Sequence, residues 1–432
     1  MKRYGMLWDA ICNIDNINDA ATKALKKKRG RLTRAKRNFL NDRERLTKEI
    51  HKSLVNETYK FSPLYSFKVY EPKERIIHCP VFYPDRILHH CLMNIVKPFF
   101  NEKFTADTYA CVEGRGVTLV LNKVRRQIKS NFEAYYLYID IRKYYPSIDH
   151  DVAMSVISRV IKCKKTLAMF KAIIDIHNKG IPIGSYVSQY IANLILTPLD
   201  HYMKEVAGAK HYFRYMDDIV LLYDTKEECH KAHEMIKVFL RGYKLTLKNT
   251  TTVSPVSAGI DFIGYRIYPT HTLLRKNIKR NMQKRADYLI ANNVSDEEFK
   301  RQFASYFGWA KHADTRNLLR KTLKHKFYLF EQDMELKKLS DLKAAKWFGL
   351  KKEDRVSIQQ LVGREIAFFE YMLQTIRGEE KAVVKFAYPD APDRFQYFIT
   401  RSDVIKDRLE KDKEFMPFVA TIKKVKNYTA YE

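Results

Sequence analysis

Two adjacent acids, Asp217 and Asp218, interrupt an apolar stretch that reads Arg214-Tyr215-Met216-Asp217-Asp218-Ile219-Val220. Carboxylates this close cannot both ionise cheaply unless something neutralises them. A bound cation does so. Successive side chains in a strand point to opposite faces, so at a hairpin tip one carboxylate can ligate directly while the other lies behind it. A third acid, Asp140, ends the aromatic-rich segment Tyr138-Ile139-Asp140. Two hard ions about 4 Å apart, bridged by carboxylates, activate a hydroxyl nucleophile and stabilise a leaving phosphate oxygen. A bare Asp-Asp pair is more often a solvated turn. The apolar flanks and the distant third acid favour the metal site, and all-oxygen ligands suit Mg²⁺ or Mn²⁺ equally.

The elements that must position these acids follow from periodicity. Residues 134–141 read as a strand ending in Asp140, and 211–224 as strand–turn–strand around the acid pair. Residues 152–178, 185–204 and 226–240 carry helical patterns, and further strands are expected at 244–247 and 261–268. Upstream, residues 1–60 look helical, with a basic run over 23–37. Residues 65–70 and 75–77 read as a hairpin across the turn Glu71-Pro72-Lys73, and 85–100 as a helix with Leu88, Leu92, Ile95 and Val96 on one face. Residues 272–330 return to basic helix. The alternation predicts an α+β fold.

The totals agree with phosphate chemistry. The 432 residues carry 79 Lys and Arg against 50 Asp and Glu, a net charge of +29. A surplus of that size calls for a polyanion, and nucleic acid is the commonest one. No stretch approaches the roughly 20 apolar residues that span a bilayer, so no membrane partner is expected, and the start lacks the apolar core of a secretion signal. Six scattered cysteines without a C-x-x-C pair suggest reduced thiols and a cytoplasmic setting.

Tyr215-Met216-Asp217-Asp218 resembles the Y-x-D-D box of reverse transcriptases, and Asp140-Ile141-Arg142-Lys143-Tyr144-Tyr145 their first acidic motif. The resemblance implies a right-hand polymerase. Its parts would be N-terminal helices and fingers over 1–133, a palm over 134–270 with part of the fingers inserted around 152–183, and a helical thumb over 271–345. It implies that Asp140, Asp217 and Asp218 are catalytic, that Asp140, Asp217, Asp218 and the Ile141 carbonyl hold two Mg²⁺ ions (Mn²⁺ being an alternative), and that Tyr145 is a steric gate against a ribose 2′-hydroxyl. Arg75, Lys143, Tyr144, Ile183, Gly184, Ser188 and Gln189 would line the dNTP site. Arg115 and Gly116, in a segment similar to the family's S-Y-A-x-R-x-G-x-G, would contact the template, as would Tyr215 and Met216. Asp85-Arg86-Ile87-Leu88-His89-His90 resembles the D-R-x-x-H-H segment of bacterial members, with both histidines structural. Gly264 and Tyr265 match the primer-grip turn, and His312 follows a thumb-like Ser305-Tyr306-Phe307-Gly308-Trp309. Lys248 follows the L-x-L of the next motif in a shifted register, which leaves its catalytic assignment open.

Ile183-Gly184-Ser185-Tyr186-Val187-Ser188-Gln189 departs from the common Q-G-x-x-x-S-P pattern. The I-G-x-x-x-S-Q form and the opening Lys2-Arg3-Tyr4-Gly5 are similar to reverse transcriptases of diversity-generating retroelements. That resemblance implies bacterial or phage origin, a template-repeat RNA copied into adenine-mutagenised cDNA, and a small basic accessory protein as partner. A retron, abortive-infection or CRISPR-associated enzyme and an inactive RNA-binding scaffold are the alternatives. Beyond the core, residues 363–372, 382–388, 395–400, 418–424 and 428–431 read as strands and 402–411 as a helix. Such a module over 350–432 is expected to be an OB-like barrel that binds nucleic acid or a partner.

Overall fold

The computed structural model of the chain describes residues 3–26, 32–70, 74–330, 361, 365–376, 379–389, 391–400, 405, 409–410, 418–425 and 428–431. The expected turn at Glu71-Pro72-Lys73 and most of the helix expected over 402–411 lie outside these residues. The chain divides into two compact units, residues 1–281 with 312–314, and residues 282–311 with 315–432.

The first unit opens with helices α1 (Trp8–Cys12), α2 (Ile14–Leu25), α3 (Arg34–Asn41) and α4 (Arg43–Val55). Asn13 and Thr33 cap α2 and α3 by accepting from the Asp15 and Lys36 amides. Ile17, Ala20, Ala21 and Ala24 form the buried stripe of α2. Strands β1 (Tyr65–Val69) and β2 (Arg75–Cys79) pair antiparallel, Phe67 opposite Ile77. Next come α5 (Ile87–Asn101) and α6 (Val117–Ser130), and α2 packs against α5. Helix α6 has a clear apolar stripe in Val120, Leu121, Val124 and Ile128 that the sequence reading passed over.

The central sheet holds β3 (Tyr135–Asp140), β4 (His211–Tyr215), β5 (Asp218–Tyr223) and β6 (Thr252–Pro255) in the order β4-β5-β3-β6, with every pair antiparallel. Helices α7 (Tyr144–Ser147), α8 (His150–Ser158), α9 (Lys164–Asp175), α10 (Tyr186–His201) and α11 (Lys226–Gly242) complete this region. Thr225 and Glu228 form a reciprocal capping box at the start of α11. Leu137 and Ile139 alternate with Tyr138 and Asp140, so one face of β3 is apolar. That face joins α10 and α11 in a core reaching back to α1 and α2. The strand expected at 244–247 is instead a turn, with Lys244 at φ +56°, and a single bridge from Leu247 to Ile141. A small sheet of β7 (Ile260–Phe262), β8 (Tyr265–Ile267) and β9 (Thr272–Leu274) follows.

Helices α12 (Lys276–Ala291), α13 (Asp296–Ala310) and α14 (Arg316–Leu323) come next, α12 crossing into the second unit. Ser295 caps α13, and three acids in its first turn suit the positive end of the helix dipole. Phe299, Phe303 and Phe307 of α13 gather on Phe330. All five strands expected in the tail are present: β10 (Glu365–Ile376), β11 (Glu379–Tyr388), β12 (Ala391–Thr400), β13 (Phe418–Val425) and β14 (Tyr428–Tyr431), in the order β12-β11-β10-β13-β14. The long β10 pairs with β13 through its first residues and with β11 through the remainder. Ile405 and Leu409 enter the core of this sheet with Phe368, Val384 and Phe386.

One close approach ties the β1–β2 hairpin to the rest of its unit. The His78 amide donates to the Ile183 carbonyl at 2.7 Å. Gly184, at φ +120°, lies so near β2 that a Cβ there would sit 2.6 Å from Ile77 Cγ2 and 2.9 Å from the His78 carbonyl oxygen. Gly184→Ala therefore adds both a clash and backbone strain, and a loss of about 1–3 kcal/mol in urea unfolding is expected. An unchanged midpoint would show that the strand can move away at no cost.

Candidate active site

Cross-strand register assembles the acids. Asp140 at the end of β3 lies opposite Asp218 at the start of β5, and Tyr215 of β4 lies opposite Asp218. Met216 and Asp217 are thus the two-residue tip of a hairpin, with Met216 at φ +57°. A non-glycine residue in that region costs about 1–3 kcal/mol and persists only where its surroundings over-determine it.

Arg214 supplies the over-determination. Its side chain is completely buried, and its guanidinium forks onto Asp200 of α10, Nε and Nη2 each 2.6 Å from a carboxylate oxygen. Nη1 donates to Asn193 Oδ1 at 3.0 Å and to the Met216 carbonyl at 3.1 Å. Nη2 reaches Thr108 Oγ1 at 3.2 Å. Asp200 also accepts from Tyr212 Oη at 2.7 Å and Thr108 Oγ1 at 3.0 Å. The Arg214 main chain pairs with Asp107 and Tyr109, so the 107–110 segment lies beside β4, and Asn193 Nδ2 anchors the Ala110 carbonyl. The sequence reading missed Arg214, Asp200, Asn193 and Thr108. The available signal was a cation in an apolar strand, one residue before Tyr215.

The carboxylates are electrostatically crowded. Burial, then the neighbouring charges of Asp218 and Asp140, push the Asp217 carboxyl up to about 6. Burial also raises Asp218, opposed by a 2.6 Å hydrogen bond from Tyr138 Oη. Lys248 lies against Asp140 in an ion pair, while its amide donates to the Asp140 carbonyl at 2.9 Å. The Arg142 amide donates to Thr246 at 2.8 Å, so the bridge between Ile141 and Leu247 uses neither polar group of Ile141. Lys248 thus reaches the acids despite its shifted sequence register. As placed, no three acidic, histidine or cysteine side chains among the described residues converge on one point. Chemically, the all-oxygen donors Asp140, Asp217 and Asp218, two of them raised by burial and then by mutual repulsion, fit a hard divalent ion.

The other expected site residues divide into two groups. Tyr145 is half-buried, and burial with the nearby charge of Asp217 raises its phenol, while Arg75 acts in the opposite sense. Arg75 and Lys143 are exposed, Ile183 and Gln189 are half-buried, and Gln189 accepts from Cys111 Sγ at 3.5 Å. Tyr215 and Met216 flank the acids at the hairpin tip, and Gly116 leads into α6. Others make contacts within the fold. Tyr144 is buried and donates to the Ala192 carbonyl at 2.5 Å, Ser188 is buried in α10, and Gly184 serves strand packing. Arg115 ties the Thr105 and Thr108 carbonyls at 2.5 and 2.8 Å. Gly264, at φ +89°, shares a tight hairpin turn with Ile263, and the buried Tyr265 meets His312 edge to face at 6.5 Å. The His312 carbonyl accepts from Arg125. His89 is buried at 3.4 Å from Ser185 Oγ, and burial lowers it to about 3, which fits a structural, neutral ring.

Removing one partner of a buried, hydrogen-bonded pair strands the other charge. Arg214→Met is expected to cost about 3–5 kcal/mol in chemical denaturation, and the double variant Arg214→Met/Asp200→Leu distinctly less. Additive losses in the two single variants would remove the pair from its assigned place.

Residues 71–267 match the family model described as reverse transcriptase (RNA-dependent DNA polymerase), and residues 352–432 match a domain of unknown function, DUF8468. Nuclear intron maturase 1, mitochondrial, of Arabidopsis thaliana is 29% identical over 104 residues, which are 24% of this chain and 14% of that protein. Protein YkfC of Escherichia coli K12 is 24% identical over 257 residues, covering 48% of this chain and 68% of YkfC. An apo telomerase of Candida tropicalis aligns with a TM-score of 0.41 at 10% identity, over 71% of this chain and 73% of that one. The chain therefore spans a small part of the maturase and about two thirds of YkfC. Residues 71–267, which contain all three aspartates, form a domain of the reverse transcriptase family, the RNA-dependent DNA polymerases.

Proposed function

We propose that the chain copies an RNA template into DNA for a diversity-generating retroelement. The observation that carries the polymerase reading is the register that sets Asp140 opposite Asp218, with Asp217 in the intervening hairpin turn. Asp140 and Asp217 would hold two Mg²⁺ or Mn²⁺ ions, with Asp218 behind them and the Ile141 carbonyl beside them. When bound, such ions lower the pKa of the attacking hydroxyl and stabilise the departing pyrophosphate.

The chain's own residues bind and select. Tyr145, close enough to feel the charge of Asp217, narrows the space beside the nascent sugar and excludes a 2′-hydroxyl by contact. Arg75 offers a cation to the triphosphate. Lys248 holds the Asp140 carboxylate in place. Template-repeat RNA, cDNA and dNTPs are the expected ligands, with a small basic accessory protein as partner. In the tail, the long β10 paired on both sides and the core residues Ile405 and Leu409 between β12 and β13 support an OB-like barrel. No pairing among the described residues joins β12 to β14. Tyr397 is fully buried and belongs to the core of this module, whereas the half-buried Tyr388 remains a candidate to stack bases.

The retroelement reading rests on Ile183-Gly184-Ser185-Tyr186-Val187-Ser188-Gln189. A Gln at 183 could hold the nascent pair by a hydrogen bond that Ile183 cannot make. Such a bond is worth on the order of 1 kcal/mol, or five- to tenfold in discrimination.

Wild-type protein given an adenine-rich RNA, primer, dNTPs and Mg²⁺ is expected to make cDNA with errors concentrated opposite adenines. Asp217→Ala should reduce synthesis at least a hundredfold. Accurate cDNA would keep the polymerase and remove the retroelement. Synthesis that survives Asp217→Ala would remove the assigned site. Ile183→Gln should lower the adenine error frequency five- to tenfold, read by sequencing the products; an unchanged spectrum would reduce Ile183 to plain packing.

A further inference from the structure

Helix α11 carries a stripe of basic side chains that the polymerase site does not use. Lys226, His230, His233, Lys237 and Arg241 follow one another at intervals of four, three, four and four residues. At 100° per residue they fall within about 80° of the helix surface and extend for about 22 Å. Cys229, Ala232, Ile236 and Leu240 occupy the buried face, whose centre lies about 95° round the helix from the stripe. The stripe is therefore a second periodic feature of the same helix, running beside its buried face.

The stripe borders a groove of about 680 Å³, whose other wall is the segment from Leu245 to Val253. Among the described residues, no acidic side chain lines this groove. Leu247 and Val253 contribute an apolar floor, and Thr246, Asn249 and Thr251 contribute polar groups. The acids of α11 lie off the stripe. Glu228 is occupied by the capping box, and Glu234 pairs along the helix with Lys237 and His233, each at 3.2 Å. Lys248 stands in the lining and also meets Asp140, so the groove runs up to the edge of the acid cluster. Helix α11 nevertheless packs with Leu137 and Ile139, on the face of β3 opposite Tyr138 and Asp140.

We propose that this groove is a second nucleic-acid site, which holds a single-stranded segment of RNA by its phosphates on the side of the sheet away from the acids. The inference rests on the reading that the chain copies RNA. Hydrogen-bond donors and cations, repeating every 4.5–6 Å or so along the helix, match a linear polyanion better than a compact phosphate ligand. An apolar floor beneath them suits bases, which every single strand can present. A membrane surface fits poorly, because the apolar residues are recessed beneath the charges. An RNA held there would be anchored while another part of the same molecule is copied.

The test uses the full chain with its polymerase cleft saturated by an unlabelled primer–template duplex. A single-stranded RNA carrying 4-thiouridine is added and photocrosslinked, and its salt-dependent affinity is measured in parallel. Crosslinks are expected on peptides within residues 226–253. They should vanish in Lys226→Glu/Lys237→Glu/Arg241→Glu and weaken in the corresponding triple Gln variant. The log–log salt slope should fall by about 2, since three cations each release roughly 0.7 counterion. Primer extension on the short duplex should be retained by both triple variants, which sets this site apart from the catalytic one. Crosslinks found only elsewhere, wild-type affinity and slope in the Glu triple, or binding to anionic vesicles in preference to RNA would each overturn the proposal. Wild-type protein that binds RNA in the groove yet extends no primer would count against the polymerase reading alone.

Discussion

The structure around the acids depends on burying Arg214 against Asp200. Taking a guanidinium and a carboxylate out of water costs several kcal/mol for each ion, and only excellent geometry offsets it. Here both carboxylate oxygens take short bonds from the fork, and the remaining donors find Asn193, Thr108 and the Met216 carbonyl. Because the Arg214, Asp200, Asn193 and Thr108 side chains are all buried, none of them can drift without leaving a buried charge unpaired. Helix α10, the 107–110 segment and the hairpin are fixed together as a consequence. The left-handed Met216 is held from below by the same guanidinium. A hydrophobic replacement could stabilise the fold as well, but it would offer no donor to the turn.

Above that rigid base the opposite condition holds. Asp140, Asp217 and Asp218 repel one another at the end of a sheet whose other face is a continuous apolar core. Burial, with the crowding added to it, raises two of the three carboxyls, while the Lys248 ammonium pairs with Asp140. A site arranged this way gains little from its own contacts and much from an external cation. The arginine of the buried pair and the first of the repelling acids therefore sit within one hairpin, three residues apart in sequence.

Much of this was legible in the sequence. The aromatic-rich segment ending in Asp140 and the acids within an apolar run marked the strand ends and the turn, and in the tail all five expected strands are present. What failed were features decided by tertiary partners. Residues 244–247 alternate like a strand, but only Leu247 finds a bridge, because the chain turns at Lys244 and meets β3 at its very end. That same bridge carries Lys248 to Asp140, which no count of residues from the L-x-L could reveal. Tyr144 and Tyr145 are indistinguishable by type. The short helix α7 turns the first into the core and leaves the second beside Asp217. The Arg214 network was invisible because its partners come from positions 108, 193 and 200, and a lone arginine in a strand commonly points to solvent.

Ile183 shows how the two kinds of constraint are kept apart. Its backbone carbonyl receives the His78 amide, and its neighbour must be glycine because β2 passes too close for a Cβ. Both demands fall on the main chain and on Gly184, and neither depends on which side chain residue 183 carries. The side chain is thus free to vary in chemistry while the β1–β2 hairpin stays anchored. A position whose backbone is fixed by packing and whose side chain is left half-buried is where selectivity can change without loss of fold. A swap of Gln for Ile in this segment is a change of that kind, since it removes a hydrogen-bonding group and leaves every backbone contact in place.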